Sequence, residues 1–227
     1  MVIEKKGMLS PFTIFTSIIT GGFFPLLGSF FAKISVPKID IYWNGIILTS
    51  IGGFLTHYFL AHTIHDLYHM KIEKRLTLSK RMLKIIFFIT SAILLFIAFY
   101  LTYYTGWPVL VFAAIGAIAS IYAEGLIHHE SQMAIGAMFL VIGSFYIQLG
   151  YSMHANIGEV FSHVKAWIEC ILLSLFAFFS QYGWLLFYRL DDYEWSEKKR
   201  NESILITKIG LIFLVILLAF HVFCNLG

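Results

Sequence analysis

Seven apolar runs, at 8–32, 43–68, 82–103, 107–123, 132–150, 165–189 and 203–224, constrain the fold of this chain more than any other feature. Each approaches the roughly 20 residues that a helix needs to cross the hydrocarbon core of a bilayer. The runs are continuous rather than alternating, which favours spanning helices over a transmembrane β-barrel. Charged residues make up only 13% of the chain, where a soluble domain usually carries roughly 25%. The expected fold class is all-α: a multi-helix transmembrane bundle of about seven spanning helices. No long linker or low-complexity segment divides residues 1–227, so a single integral membrane domain is expected. The first run is long and shows no obvious cleavage site, so it reads as a retained helix rather than a signal peptide.

The basic residues orient these helices. With the N-terminus in the cytoplasm, thirteen of the sixteen Lys and Arg fall on the cytoplasmic side, and only Lys33, Lys38 and Lys165 on the other. That asymmetry follows the positive-inside rule and favours seven helices over six or eight. It also puts the loops after helices two, four and six on one face. The first carries His62, His65, Asp66, His69, Lys71, Glu73, Lys74 and Arg75. The second carries Glu124, His128, His129 and Glu130, and the third runs from Arg189 through Asp191, Asp192, Glu194, Glu197, Lys198 and Lys199 to Arg200. Any cytoplasmic loop is charged, but three converging loops of mixed acids and bases suggest a site. The two cysteines, Cys170 and Cys224, fall within predicted helices and form no C-x-x-C, which argues against disulfides and thiolate metal sites.

The spacing narrows the chemistry. His62 and Asp66 are four apart, as are His65 and His69, so each pair shares a helical face. A carboxylate at a membrane helix end is costly unless it meets a cation or water. Asp192 and Ser196 repeat the four-residue spacing, with Glu194 and Glu197 beside them. Acids followed by basic residues suit Mg²⁺ shared with substrate phosphates, the Lys and Arg taking the remaining phosphate charge.

The order of these segments resembles the UbiA-type intramembrane prenyltransferase superfamily, most closely the branch that prenylates dihydroxynaphthoate-like quinone precursors. "SPFTIFTSIITGGFFPLLGSFFA" resembles that branch's opening helix. "AHTIHDLYHMKIEKRLTLSKR" falls where the family writes N-D-x-x-D-x-x-x-D and a basic loop. The segment from Gly106 to Tyr151, with its Y-x-Q-x-G at Tyr146 and Gln148, resembles the central helices. "YRLDDYEWSEKKRNESILITKIG" resembles the second motif, N-N-x-R-D-x-x-x-D with a basic stretch. His62 stands in the Asn place of the first motif, Thr63 and Met70 in Asp places, and Asp66 matches. Asp192 matches best in the second motif, though Asp191 lies one residue away, and Ser196 and Tyr188 replace an Asp and an Asn. Family enzymes usually have nine helices, two more than this chain.

The resemblance implies a UbiA-like bundle that transfers a prenyl group from its diphosphate to an aromatic or other lipophilic acceptor. Asp66 and Asp192 would hold Mg²⁺, supplemented by His62, Glu194 and Glu197. Lys74, Arg75, Lys198, Lys199 and His129 would bind the diphosphate. The expected setting is a prokaryotic cell membrane, the partners being the two substrates and the bilayer, with no nucleic acid. A non-catalytic isoprenoid-binding protein or a terpene cyclase on the same fold are alternatives. A histidine-rich metal oxidoreductase is a third class: His62, His65 and His69 supply H-x-x-H and H-x-x-x-H, but no H-x-x-H-H box follows. Tyr146, Gln148, His154, His163 and His221 read as packing residues.

Overall fold

The apolar runs fold as rods laid side by side. The computed structural model describes residues 11–69, 78–122 and 130–226, with the backbone alone at 11–13, 68–69, 121–122, 191–192 and 226. Among the described residues every regular element is a helix: α1 (Pro11–Ile18), a π segment (Ile19–Phe23), α2 (Phe24–Ser35), α3 (Trp43–Phe54), a second π segment (Leu55–Ala61), α4 (His62–His69), α5 (Lys80–Thr105), α6 (Pro108–Tyr122), α7 (Glu130–Ser152), α8 (Ile157–Ser162), α9 (Val164–Tyr188), a 3₁₀ turn (Leu190–Tyr193) and α10 (Glu197–Leu226).

Five helices are long and apolar enough to cross a membrane: Ile14–Ser35, Lys80–Thr105, Glu130–Ser152, Val164–Tyr188 and Glu197–Asn225. The other two expected runs are also helical. Residues 43–69 run without a break through α3, the second π segment and α4, and carry glycines, Asn44 and His57 among their apolar residues. α6 has 15 residues and so spans only about 22 Å, short of the roughly 30 Å hydrocarbon core. α10 begins at Glu197 rather than near residue 203, so Lys198, Lys199 and Arg200 lie in a first helical turn and not in a loop.

Successive rods alternate in direction, and contacts mark both ends. At one end Ser17 Oγ lies 2.8 Å from His57 Nδ1, Gln181 Nε2 donates to Thr20 Oγ1 at 3.1 Å, and Arg189 meets Glu130. At the other end Tyr146 OH donates to the Thr105 carbonyl at 2.8 Å and Lys165 Nζ to Asn225 Oδ1 at 2.5 Å. α7 is the most enclosed of the five spans and forms the centre. A backbone group within lipid has no water to turn to. Gln148 therefore serves the start of α3: its Oε1 accepts from the Tyr42 N–H at 2.8 Å, and its Nε2 donates to the Tyr42 carbonyl at 3.3 Å. The reading of Tyr146 and Gln148 as packing residues matches these roles.

The two π segments meet where α1–α2 crosses α3. A Cβ on Gly21 would stand 2.2 Å from the Phe54 nitrogen, and one on Gly53 would stand 2.9 Å from the Gly21 carbonyl oxygen. Both neighbours are backbone and cannot give way, so glycine alone allows the approach. The tight turn expected at residues 105–108 is present, and Gly106, at φ +99°, takes the left-handed conformation it needs. The short α8 was not foreseen; Asn156 caps it by accepting the Glu159 N–H at 3.3 Å.

At the far end Glu169 is wholly buried inside α9. Ser35 at the end of α2 donates to its Oε2, and His221 Nδ1 of α10 lies 3.0 Å from its Oε1. Three rods thus close on one carboxylate. Cys170, next in sequence, is buried and free, and Cys224 is exposed and free, so no disulfide forms.

Candidate functional site

The end of the bundle that holds His62 and Asp66 gathers most of the charged side chains among the described residues. Here α4 ends, α7 begins, α9 ends, and α10 begins after one 3₁₀ turn. The sequence explains why: each apolar run stops at acids, histidines and bases that cannot enter hydrocarbon without a partner.

On α4, Asp66 Oδ1 lies 3.3 Å from Nδ1 of the preceding His65, both side chains partly exposed. His62, four residues before Asp66, is half-buried and packs against the preceding turns of its own helix. Its ring lies 6.2 Å from that of His57 and 6.1 Å from that of Tyr58. Thr63, in an Asp place of the motif resemblance, is wholly buried, and its hydroxyl has no hydrogen-bond partner among the described residues. An acid there would face the packed interior rather than a ligand.

The best-defined feature is centred on Glu130, the first residue of α7. Only 2% of it is exposed. Its Oε1 accepts from the Tyr193 hydroxyl at 2.8 Å and lies 3.0 Å from Arg189 Nη1. Burial, with this hydrogen bond to the carboxylate, raises the Tyr193 phenol above its ordinary range. Lys199 Nζ sits 4.9 Å from the centre of the Tyr193 ring and 3.0 Å from Glu202 Oε2. Sequence reasoning placed Glu130 and Arg189 among the loop charges but chose neither. The available signal was a lone acid opening an apolar run, facing a lone Arg that closes another.

The other expected residues are more scattered. Asp192 lies on the 3₁₀ turn, where only its backbone is described. Glu194, Glu197 and Lys198 are exposed, and Lys199 is half-buried in its pairing with Glu202. Lys74, Arg75 and His129 lie outside the described residues. No group of three or more His, Cys, Asp or Glu that could hold a metal occurs among the described residues. The described part thus brings His65 to Asp66, and Arg189 and Tyr193 to Glu130, but does not join His62, Glu194 or Glu197 to either.

Beside this end, α1 and the first π segment diverge from α9 and leave a largely apolar groove of about 280 Å³. Phe15, Phe23, Phe176 and Trp184 line it, and Thr20 and Gln181 form its polar floor through their hydrogen bond.

No family model matches this chain, and comparisons with curated proteins and with solved structures found no match. The functional reading therefore rests on the residues and their placement.

Proposed function

We propose that the chain is a UbiA-type membrane protein that takes the diphosphate of an isoprenoid at its cytoplasmic end and transfers the prenyl group to an aromatic or other lipophilic acceptor. The observation that carries this reading is that α4, α9 and the starts of α7 and α10 bring two groups, His65 with Asp66 and Glu130 with Arg189 and Tyr193, to one end of a bundle, beside an apolar groove. A prenyl diphosphate has the same two halves, a highly charged head and a greasy chain. On this reading residues 43–69 and 108–122 complete seven spans, and the lysines and arginines set the charged end in the cytoplasm. Tags fused at residues 1 and 227 should report opposite sides of the membrane; both on one side would reject the seven-span count.

The donor set is oxygen-rich. Mg²⁺ commonly needs only one or two protein carboxylates when phosphates complete its shell, so Asp66 and Asp192 suffice in number. Bound there, Mg²⁺ would offset charge on the departing diphosphate. Lys74, Arg75, Lys198, Lys199 and His129 would hold the phosphate oxygens, with His62, Glu194 and Glu197 around them. The allylic C–O bond breaks, its electron pair leaves with diphosphate, and the acceptor forms the new bond and loses a proton. Aromatic rings along the groove would stabilise the cation through their faces.

Purified protein incubated with radiolabelled prenyl diphosphates and Mg²⁺, without and with aromatic acceptors, tests this directly. Labelled product that requires both Mg²⁺ and acceptor is expected, and product without acceptor would indicate cyclisation. Mg²⁺ should bind weakly alone and much better with a diphosphate, whereas stoichiometric iron in the purified protein would favour the histidine-metal reading. A second reading, isoprenoid binding without turnover, is favoured by one observation: Glu130, the most deeply buried acid of this end among the described residues, is already engaged by Arg189 and Tyr193. Binding of labelled prenyl diphosphate with no product would select it.

A further inference from the structure

We propose that Glu130 is a positioning residue for the second acidic segment: from α7 it holds the residues on both sides of Asp191 and Asp192 and so fixes the turn that carries them. The inference rests on the functional reading above, since it concerns a segment given a ligand-binding role there.

Both holds fall on one oxygen. Arg189, the last residue before the 3₁₀ turn, and Tyr193, the last residue within it, reach Glu130 Oε1 at 3.0 Å and 2.8 Å. Asp191 and Asp192 lie between them in sequence. Glu130 itself stands on the most enclosed span of the bundle, so the anchor belongs to the rigid part of the molecule. The segment it holds is the less favourable partner. Directly after Tyr193, Glu194 and Trp195 are both left-handed, at φ 52° and 53°, without being glycine. Such residues persist only where their surroundings over-determine them. The backbone supplies part of that restraint through Trp195 N–H to the Leu190 carbonyl at 2.9 Å and Ser196 N–H to the Tyr193 carbonyl at 3.0 Å. Lys199, at 4.9 Å from the Tyr193 ring centre, adds a contact from α10. Those bonds shape the turn locally, whereas Glu130 ties it to α7. An ordinary ion pair between helix ends would need only Arg189; the second donor from Tyr193 is what fixes the turn on both flanks.

Trp195 reports on this directly, because it is 60% exposed at the end of the held segment. The chain has five tryptophans, so the probe is a variant with the other four replaced by Phe. In that background Glu130→Ala should change Trp195 emission and raise its quenching by acrylamide at least twofold. With labelled prenyl diphosphate it should raise the Mg²⁺ concentration for half-maximal binding about tenfold or more. Thermal unfolding should shift far less, because Glu130 lies at the end of its helix. Glu130→Gln should fall between, since the amide keeps an oxygen for Tyr193 but loses the charge for Arg189. Should Glu130→Ala not fold, Tyr193→Phe, which removes one hydroxyl, is read by the same two measurements. Unchanged Trp195 quenching in a folded variant would overturn the proposal. A wild-type protein that binds no prenyl diphosphate would sink the functional reading instead, with the positioning role then decided by Trp195 alone.

Discussion

Replacing Asp66 or Asp192 with alanine is expected to lower prenyl-transfer turnover by about a hundredfold to a thousandfold or more. Groups that meet charge developing in a reaction commonly contribute on this scale. Asp66 lies in α4, three residues before its end, and Asp192 lies in the 3₁₀ turn after α9. On the proposed reading the two face one diphosphate across one mouth. Each loss would remove a charge that the same magnesium–diphosphate complex needs. The double variant should therefore be little worse than either single one, because residues that act as a unit are not additive. Folding should survive Asp66→Ala, since its side chain is 20% exposed and its described ionic contact is only the adjacent His65. The measurement is initial rate at saturating labelled prenyl diphosphate and Mg²⁺, with expression and elution profile as controls. Turnover retained by both single variants would place the reacting groups elsewhere and undo the transfer of the two motifs onto this chain.

His221→Ala is expected to destabilise the far end of the bundle by about 1–3 kcal/mol, the cost of leaving a buried polar group without its hydrogen-bond partner. The two partners are not equivalent. Glu169 is 0% exposed, whereas the His221 side chain is 23% exposed. Loss of His221 leaves a buried carboxylate with only the Ser35 hydroxyl, while loss of Glu169 leaves an imidazole that can still reach water and Asn225. Glu169→Gln should therefore cost clearly less than His221→Ala. Replacing both residues with leucine should recover much of the loss, because an apolar pair leaves no polar group without a partner. Unfolding in detergent micelles, followed by circular dichroism or by cross-linking between α9 and α10, reads the order directly. A His221→Ala variant as stable as wild type, or a Glu169→Gln variant worse than it, would show that the pair does not hold α10 to the bundle.

Hydrophobic length and continuity were enough to foresee an all-helical membrane protein, because a backbone inside lipid has almost no other way to satisfy its hydrogen bonds. The tight turn at Gly106 was equally legible, since Gly106 followed by Pro108 within two residues marks a break between two apolar runs. Helix ends were less so. The start of α10 lies at Glu197, several residues before the apolar run, because Glu197 and Lys198 can be helical and still point into water. Hydropathy marks where lipid begins, not where helix begins.

What only the tertiary structure decided is which polar residues meet. Glu130 and Arg189 are 59 residues apart, and Glu169 and His221 are 52 apart. A sequence shows each as a single charge near or inside an apolar run, and such a charge has a cost but no visible partner. The partner is chosen by the rotation and depth of each helix. Those are set by close approaches such as Gly21 against Phe54, where one methyl group would force the rods apart. Because such contacts join residues far apart in the chain, helical periodicity carries no trace of them.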